Sequence, residues 1–495
     1  MASPTYERDP ILASTDGARA VVELENREPP VLFSKFPGTD IHIWPYLRWP
    51  LVQSMAAIEL GSVQISAPIS ARQRVRKLIS RVLPDPSSAR HAPRDRELLF
   101  VVAGRTQADT SHGRKNWLID DFASTYANDS VVVQYRELGT PSDPAPQRAF
   151  EQTYSFHDAE LKADIGARIH PLSDARRRST ENIVARVFAE LDFPVGQDGI
   201  AGATAKVLRH QARVERMRKQ YEALLDRVDP NVIIMDGACY GGSRAVQVRA
   251  AKERGIPVAE AQHGWIGQSH GAYNFGSAQW RDELKQYLPD TLLTFGDYWS
   301  RGVTGPFNTV TVGKPHLEQL AAKAPPVASR ARAVLVASSM NDRPEMVRAV
   351  LSLRDALPDD WRVWFRPHPS ERATVTQLYP ALVGADRIDI DVNLDVYDSL
   401  GQVRGVFGYS STVLYEALKF DCHTFVLNSK HAEFYADQDA LGAPIAEPAD
   451  LRRAVSAIVS NRSSTESERL DDLWAPDSLS RFRDFIEGSL SGSRE

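Results

Sequence analysis

The sequence predicts an α/β protein with two doubly wound parallel sheets in tandem. From residue 97 to residue 428, short apolar runs are followed by polar loops and then by helical periods. This alternation is typical of parallel strands that helices cover on both faces. It is interrupted by the proline-containing stretch KAPPVASR at 323–330 and then starts again, which predicts a connection between two domains.

The elements of each domain follow from the apolar runs and the helical periods. The first domain is expected over 96–322, with strands at 97–105, 130–138, 231–237, 256–264 and 290–299 and helices at 203–228 and 243–254. The second is expected over 323–470, with strands at 332–339, 361–369, 387–391, 404–411 and 422–428 and helices at 344–357, 412–420 and 449–460. A last helix within 471–495 is expected to pack on the outside, either on its own domain or back across the first.

Residues 1–95 are expected to form a partly helical, irregular N-terminal arm. Within it, residues 72–96 carry a local excess of Arg and Lys. The favoured interpretation is a solvated helix face followed by a linker. A peripheral contact with anionic lipid or glycan at the inner membrane face stays open as the alternative.

The composition excludes several classes of protein. Fifty-nine Lys and Arg against 64 Asp and Glu give a formal charge of −5, so a nucleic-acid partner is not expected. Cys239 and Cys422 are the only cysteines, which excludes a disulfide framework, a four-cysteine zinc site and an iron–sulfur cluster. Because we find neither a signal peptide nor a membrane span, we expect a cytoplasmic location.

Polar residues that directly follow apolar strands are the candidate functional residues. In parallel sheets, ligands bind beyond the carboxyl ends of the strands, so such residues are expected at one edge of each sheet. Five segments have this position: Asp236-Gly237, Gln262-His263-Gly264, Gly313-Lys314-Pro315, Arg366-Pro367-His368-Pro369 and Tyr409-Ser410-Ser411-Thr412. Lys314 is expected to bind the nucleotide or its phosphate.

The segment YSSTVLYEA at 409–417 places hydroxyl side chains at the start of an apolar helix. A helix N-terminus attracts phosphate through its N–H groups and dipole, and Ser410, Ser411 and Thr412 add hydroxyl donors. An ordinary N-cap is the alternative. Glu416 follows one turn into the helix, where it is expected to reach a ribose diol.

Three other strand ends carry acid–base or anion-binding groups. In RPHP, Arg366 is expected to bind phosphate oxygens, and His368 is expected to stabilise the charge of a departing phosphate. Asp236 is a candidate general base, with helix capping as its alternative, and His263 is either the rival base or a phosphate donor. No nicotinamide, flavin or P-loop motif is present, and no metal or cofactor is expected.

In this order, AQHG (261–264), RPHP (366–369) and YSSTVLYEA (409–417) resemble bacterial capsule and surface-polysaccharide transferases of the GT-B architecture. This group includes Kdo transferases, sialyltransferases and CDP-glycerol polyol-phosphate transferases. The resemblance implies two Rossmann-like domains, the nucleotide donor on the second and the acceptor on the first.

The resemblance also implies roles for individual residues. Asp236 would deprotonate the acceptor, although the MDG motif lacks the first acidic residue of the sialyltransferase pattern. His368 would help the nucleotide phosphate depart, and Ser410 and Ser411 would bind that phosphate. His263 matches a histidine proposed to be catalytic in polyol-phosphate transferases.

We therefore expect a metal-independent, inverting glycosyltransferase that builds a capsular or cell-surface polysaccharide. Its donor would be a nucleotide-activated sugar, with CMP or CDP slightly preferred, and its acceptor a glycan or lipid-linked glycan. Three alternatives stay open: a CDP-glycerol type polyol-phosphate transferase, a non-hydrolysing UDP-N-acetylglucosamine 2-epimerase, and a non-enzymatic glycan-binding assembly factor.

Overall fold

The computed structural model describes most of the chain. The described residues are 16–60, 87–103, 106–110, 113–135, 150–338, 343–368, 371–429, 432–433, 436–460 and 467–492. Residues 72–86 of the predicted basic run and Pro369 of RPHP lie outside them.

The first domain is built on a seven-stranded parallel sheet in the order β5-β4-β1-β6-β7-β8-β9. Its central strands are short and wholly buried, as LLFVVA and VIIM require when helices cover both faces. Strands β2 and β3 form a separate antiparallel hairpin. The strands are β1 (Leu98–Ala103), β2 (Gln107–Thr110), β3 (Gly113–Asn116), β4 (Ser130–Tyr135), β5 (Thr153–Ser155), β6 (Val232–Met235), β7 (Val258–Ala261), β8 (Thr291–Thr294) and β9 (Asn308–Thr311).

The second domain has a five-stranded parallel sheet in the order β12-β11-β10-β13-β14. The chain runs outward from β10 through β11 to β12 and then returns to β13 on the other side of β10. The strands are β10 (Ala333–Ala337), β11 (Arg362–Arg366), β12 (Ile388–Ile390), β13 (Gly405–Gly408) and β14 (His423–Val426). Two tandem doubly wound sheets confirm the predicted fold class.

Helices cover both sheets. In the first domain they are α1 (Asp16–Arg27), α2 (Trp44–Leu60), α3 (Asp120–Thr125), α4 (His157–Ile169), α5 (Asp174–Glu190), α6 (Gln197–Val228), α7 (Ser243–Lys252), α8 (Asp282–Lys285), α9 (Asp297–Ser300) and α10 (Pro315–Ala321). In the second they are α11 (Arg343–Ala356), α12 (Val375–Leu378), α13 (Val396–Leu400), α14 (Thr412–Lys419), α15 (Gln438–Leu441) and α16 (Pro448–Val459). The chain ends with α17 (Ser467–Leu473) and α18 (Ser478–Gly492). In the described part of the chain, none of these helices is long and apolar enough to cross a membrane.

The strand predicted over 290–299 is shorter in the structure. It ends at Thr294, and Gly296 separates it from the short helix α9. A glycine in an apolar run permits such a break because it carries no side chain to pack. Trp299 of α9 is buried and donates its indole N–H to the Leu473 carbonyl at 2.8 Å, which joins α9 to α17.

The last helix, α18, returns to the first domain. Phe482 is buried, and its ring stacks on that of Phe122 with 4.3 Å between centroids. It also contacts the rings of Phe100 in β1 and Tyr126. The same apolar cluster includes Leu335 and Leu414 of the second domain, so a continuous core joins the two domains.

The described part of the predicted arm is integrated into the first domain. Helices α1 and α2 contribute Leu24, Trp44 and Leu51 to the core that covers one face of the sheet. Glu25 lies fully buried between them. Its carboxylate accepts hydrogen bonds from Trp44 Nε1 at 2.9 Å, Arg48 Nε at 2.8 Å and Gln279 Nε2 at 2.6 Å.

We predict that Glu25→Gln lowers the free energy of unfolding by about 3–5 kcal/mol, because it leaves the Arg48 guanidinium buried without its counter-charge. Urea unfolding measures this difference. The control is Glu23→Gln on the exposed side of the same helix, for which we expect a change within about 0.5 kcal/mol. Equal effects of the two substitutions would show that the buried pair does not hold the arm.

Candidate functional site

The carboxyl ends of the two sheets meet at a contact between the domains. The backbone N–H of Trp265, in the loop after β7, donates to Thr412 Oγ1 at 3.2 Å. His263 lies two residues before Trp265, and Ser410 and Ser411 directly precede Thr412. The contact therefore brings the His263 loop of the first domain to the helix N-terminus of the second.

The serine turn connects β13 to α14. Ser411 is the N-cap of α14, and its hydroxyl oxygen accepts the N–H of Val413 at 3.3 Å. Ser410 and Ser411 are half-buried. Ser411 therefore caps α14, as the alternative interpretation of the sequence proposed. A capping hydroxyl still has its own proton to donate to a ligand.

His368 and Ser410 lie at the same edge of the second sheet. Arg366 of β11 and Gly408 of β13 both pair with Ala337 of β10, and His368 and Ser410 each follow two residues later. They therefore flank the end of β10, with about 10 Å between the two outer strands. The chain changes direction beside β10, and such a switch point is where open parallel sheets bind ligands.

His368 is half-buried, and burial lowers the pKa of its imidazole below the ordinary value. The nearby Glu371 carboxylate opposes this shift, and Arg372 adds to it. Without a ligand, His368 is therefore a neutral side chain at neutral pH.

Arg366 does not face the space above β10. Its guanidinium is buried, and it donates to Asp391 Oδ2 at 2.6 Å and to the carbonyl of Asn393 at 3.1 Å. The ion pair ties β11 to the loop after β12. Because a buried cation needs its carboxylate partner, the pair favours a structural role for Arg366, and its predicted role as a phosphate ligand stays a prediction.

Lys314 and Glu416 are also paired with each other. Lys314 Nζ lies 2.6 Å from Glu416 Oε1, and both side chains are less than a tenth exposed. The ammonium also lies 4.3 Å from the Trp117 ring centroid and 5.0 Å from that of Phe295. Each of the two charges therefore already has a buried partner, and the predicted roles of Lys314 and Glu416 at a nucleotide stay predictions. The pair joins the two domains.

Asp236 is buried at the switch point of the first sheet, between β1 and β6. Its carboxylate accepts the N–H of Ala103 at 3.1 Å and the Arg244 guanidinium at 2.8 Å. Arg244 in turn stacks over the Tyr135 ring at 4.4 Å. With the side chain about 1% exposed, these contacts favour a structural role for Asp236 over the predicted role as base.

His263 is half-buried beside a group of aromatic side chains. Its Nε2 lies 3.5 Å from the hydroxyl of Tyr240, which also contacts His270 Nε2 at 3.1 Å. Trp49 of α2 packs edge-on against Tyr240 with 4.6 Å between centroids. This surrounding set was not predicted, because Trp49 and Tyr240 lie about 190 positions apart and only the fold joins them.

Glu260 of β7 lies beneath this aromatic group and was also missed. It accepts the Tyr273 hydroxyl and the Cys239 N–H, each at 2.6 Å, and burial raises the pKa of its carboxyl. The sequence feature that could have identified Glu260 is a carboxylate inside the otherwise apolar strand VAEA.

A cavity of about 880 Å³ opens beside the His263 loop. Residues Trp265–Ser269, Tyr298 and Arg301 line it from the first domain, and Asp437 and Asp439 line it from the second. Among the described residues, no three His, Cys, Asp or Glu side chains are grouped so that they could hold a metal ion.

No protein-family model matches the sequence, and a search of curated proteins finds no match. Several solved structures are similar in fold. S. aureus MnaA, in a co-structure with UDP, is 12% identical with a TM-score of 0.45, over 80% of this chain and 97% of that chain. UDP-GlcNAc 2-epimerase from Methanocaldococcus jannaschii is 12% identical with a TM-score of 0.45, over 79% and 99%. Acinetobacter baumannii MurG is 9% identical with a TM-score of 0.38, over 80% and 99%.

These values are too low to carry an argument about activity. The assignment of the fold is based instead on the strand order of the two sheets. Two Rossmann-like domains with facing strand ends and a returning last helix have the GT-B architecture. The narrower resemblance to capsule and surface-polysaccharide transferases stays a prediction.

We predict that Lys314→Met and Glu416→Leu each lower the free energy of unfolding by about 3–5 kcal/mol, since each leaves one buried charge without its partner. The double variant should recover most of that loss. A double-mutant cycle in urea measures the coupling. Additive effects of the two substitutions would contradict a buried interdomain pair.

Proposed function

We propose that this protein is a metal-independent glycosyltransferase that uses a nucleotide-activated sugar. The donor phosphates would bind at the N-terminus of α14 in the second domain, and the acceptor would bind on the first domain near His263. The contact of Trp265 with Thr412 is the observation that carries this proposal, because it brings the His263 loop of the first domain to the N-terminus of α14 in the second.

The N-terminus of α14 supports the donor site. Its first backbone N–H groups and its dipole favour an anion, the Ser411 hydroxyl caps the helix at this end, and Ser410 directly precedes it. His368 flanks the other side of the β10 end. In its neutral form it offers one N–H to a phosphate oxygen, and a bound anion would favour its protonation.

His263 supports the acceptor side better than Asp236 does. The Asp236 carboxylate is buried against Ala103 and Arg244, whereas His263 is half-buried beside the contact with the second domain. In the proposed step the acceptor oxygen bonds to the anomeric carbon as the carbon–phosphate oxygen bond breaks. The acceptor proton passes to His263, and the leaving phosphate keeps the bonding electrons while α14 and His368 stabilise its charge.

This single displacement inverts the anomeric carbon. CMP- and CDP-linked sugars are the donors to test first, with a surface glycan or lipid-linked glycan as acceptor.

Nucleotide binding tests the donor site. We predict that at least one of CMP, CDP, UDP and GDP raises the melting temperature. At 100 times its dissociation constant, a bound nucleotide adds about 2.7 kcal/mol to the free energy of unfolding. Ser411→Ala should weaken that nucleotide's affinity by about tenfold, because a hydrogen bond to a charged group is lost.

The matched control is Ser173→Ala, which removes the N-cap hydroxyl of α5 in the first domain and should leave nucleotide affinity unchanged. A chain that binds none of the four nucleotides contradicts the proposal. Incubation with UDP-N-acetylglucosamine and no acceptor separates the enzymatic alternatives, since conversion of that sugar alone would indicate an epimerase.

The protonation of His368 gives a second prediction. Because burial lowers its pKa in the free protein and a bound phosphate favours the charged form, nucleotide affinity should rise as pH falls from 7.5 towards ~6.5. Titration calorimetry in two buffers of different ionisation enthalpy should show proton uptake. The His368→Gln variant should lose the part of the proton uptake that His368 contributes. Proton uptake by the nucleotide itself is the same with both proteins, so it cancels when the two are compared. Equal proton uptake by both proteins would exclude His368 from the phosphate site.

A further inference from the structure

Arg372 is a half-buried cation at the carboxyl end of the second sheet. It lies four residues after His368, between β11 and α12, and the N–H of Glu371 closes the turn between them by donating to the His368 carbonyl at 2.8 Å. The Arg372 charge is close enough to His368 to lower the pKa of that imidazole. The chemistry proposed above does not use this guanidinium.

Within the described part of the chain, the Arg372 guanidinium has no carboxylate partner. Its hydrogen-bond acceptor there is the Leu394 carbonyl, which lies 3.4 Å from Nη1 and 3.5 Å from Nη2. Both distances are at the limit of a hydrogen bond. The Nε atom is buried and has no hydrogen-bond partner. Because a guanidinium carries five N–H donors, most of the donors of Arg372 remain for a ligand.

Three carboxylates lie near Arg372, and each already has another partner. The pairs are Glu371 with Arg343 at 2.7 Å, Asp391 with Arg366 at 2.6 Å, and Asp395 with His316 at 2.8 Å.

The surroundings of Arg372 therefore disfavour its charge. Burial and the positive charge of Arg366 lower the pKa of Arg372, and the carboxylates of Asp391 and Asp395 oppose this shift without cancelling it. The guanidinium nevertheless stays protonated, since arginine is not deprotonated in proteins.

A cation in this position lowers the stability of the fold, because a charge that is removed from water needs an opposite charge close by. The same domain provides such a charge for Arg366, whose carboxylate partner is buried with it. For Arg372 the opposite charge has to come from a ligand. A guanidinium offers two parallel N–H groups to an anion, and this geometry matches two oxygens of a phosphate.

We propose that Arg372 binds a phosphate of the nucleotide-activated donor, together with His368. The identity of this ligand as a donor nucleotide rests on the proposed function, whereas phosphate binding at Arg372 does not depend on sugar transfer. During transfer the guanidinium adds a full positive charge to the imidazole and the N-terminus of α14, which stabilise the leaving phosphate.

The test measures affinity and stability in Arg372→Met, which removes the charge and keeps a long side chain. Inorganic pyrophosphate, CMP, CDP, UDP and GDP are titrated into the full chain by calorimetry at constant ionic strength. We expect pyrophosphate to bind, and its affinity and that of any bound nucleotide to fall by about 10- to 100-fold in the variant. Urea unfolding without ligand should show an unchanged or higher free energy of unfolding, because the substitution removes a cation that lacks a partner.

Two further variants identify the effect of the position. Arg348→Met removes the same charge from α11, where Arg348 is exposed and pairs with Glu345, and it should change neither affinity nor stability. Arg366→Met breaks the buried pair with Asp391 and should lower the free energy of unfolding. Arg372→Met and Arg366→Met should therefore differ in their effect on stability.

The possible outcomes separate this proposal from the proposed function. An Arg372→Met protein that is less stable, or that binds pyrophosphate as the unchanged chain does, would overturn the proposal. A nucleotide whose affinity Arg372→Met leaves unchanged would also overturn it, and the proposed function would stand. If pyrophosphate binds through Arg372 and no nucleotide binds, the proposed function is refuted and the phosphate site stands. A chain that binds neither pyrophosphate nor a nucleotide refutes both.

Discussion

All strands in each of the two large sheets run parallel, so every loop that follows a strand emerges at one edge of its sheet. The two edges meet where Trp265 donates to Thr412. The buried pair of Lys314 and Glu416 and the apolar cluster around Phe482 join the domains behind this contact. The placement of His263 beside the serine turn depends on this joint, because the two segments lie about 150 positions apart in the sequence.

The charged and the neutral candidates have different places in the fold. Asp236, Lys314, Arg366 and Glu416 are each buried in an ion pair. Physical chemistry explains this outcome, since a charge that is removed from water needs an opposite charge close by. The neutral candidates His263, His368, Ser410 and Ser411 are half-buried. A ligand would therefore meet hydroxyls, imidazoles and backbone N–H groups before any preformed cation among these candidates.

Local patterns predicted much of the fold. Apolar runs such as VIIM and AVLVA became the buried strands β6 and β10, and helical periods predicted α7, α11 and α14 to within a few residues. Long-range pairs were not predictable in this way. The partners of Arg366 and Lys314 lie 25 and 102 positions away, and nothing local identifies them. The role of α1 and α2 was missed for the same reason, because Glu25 finds Gln279 only in the folded chain.

A structure of the protein with a bound nucleoside diphosphate tests the central claim most directly. The phosphates should lie at the N-terminus of α14, within hydrogen-bond distance of Ser410 or Ser411 and of His368. The cleft towards His263 should stay open beside them. Phosphates bound at another edge of either sheet, or a nucleotide held with His263 and the serine turn on opposite sides of closed protein, would contradict it.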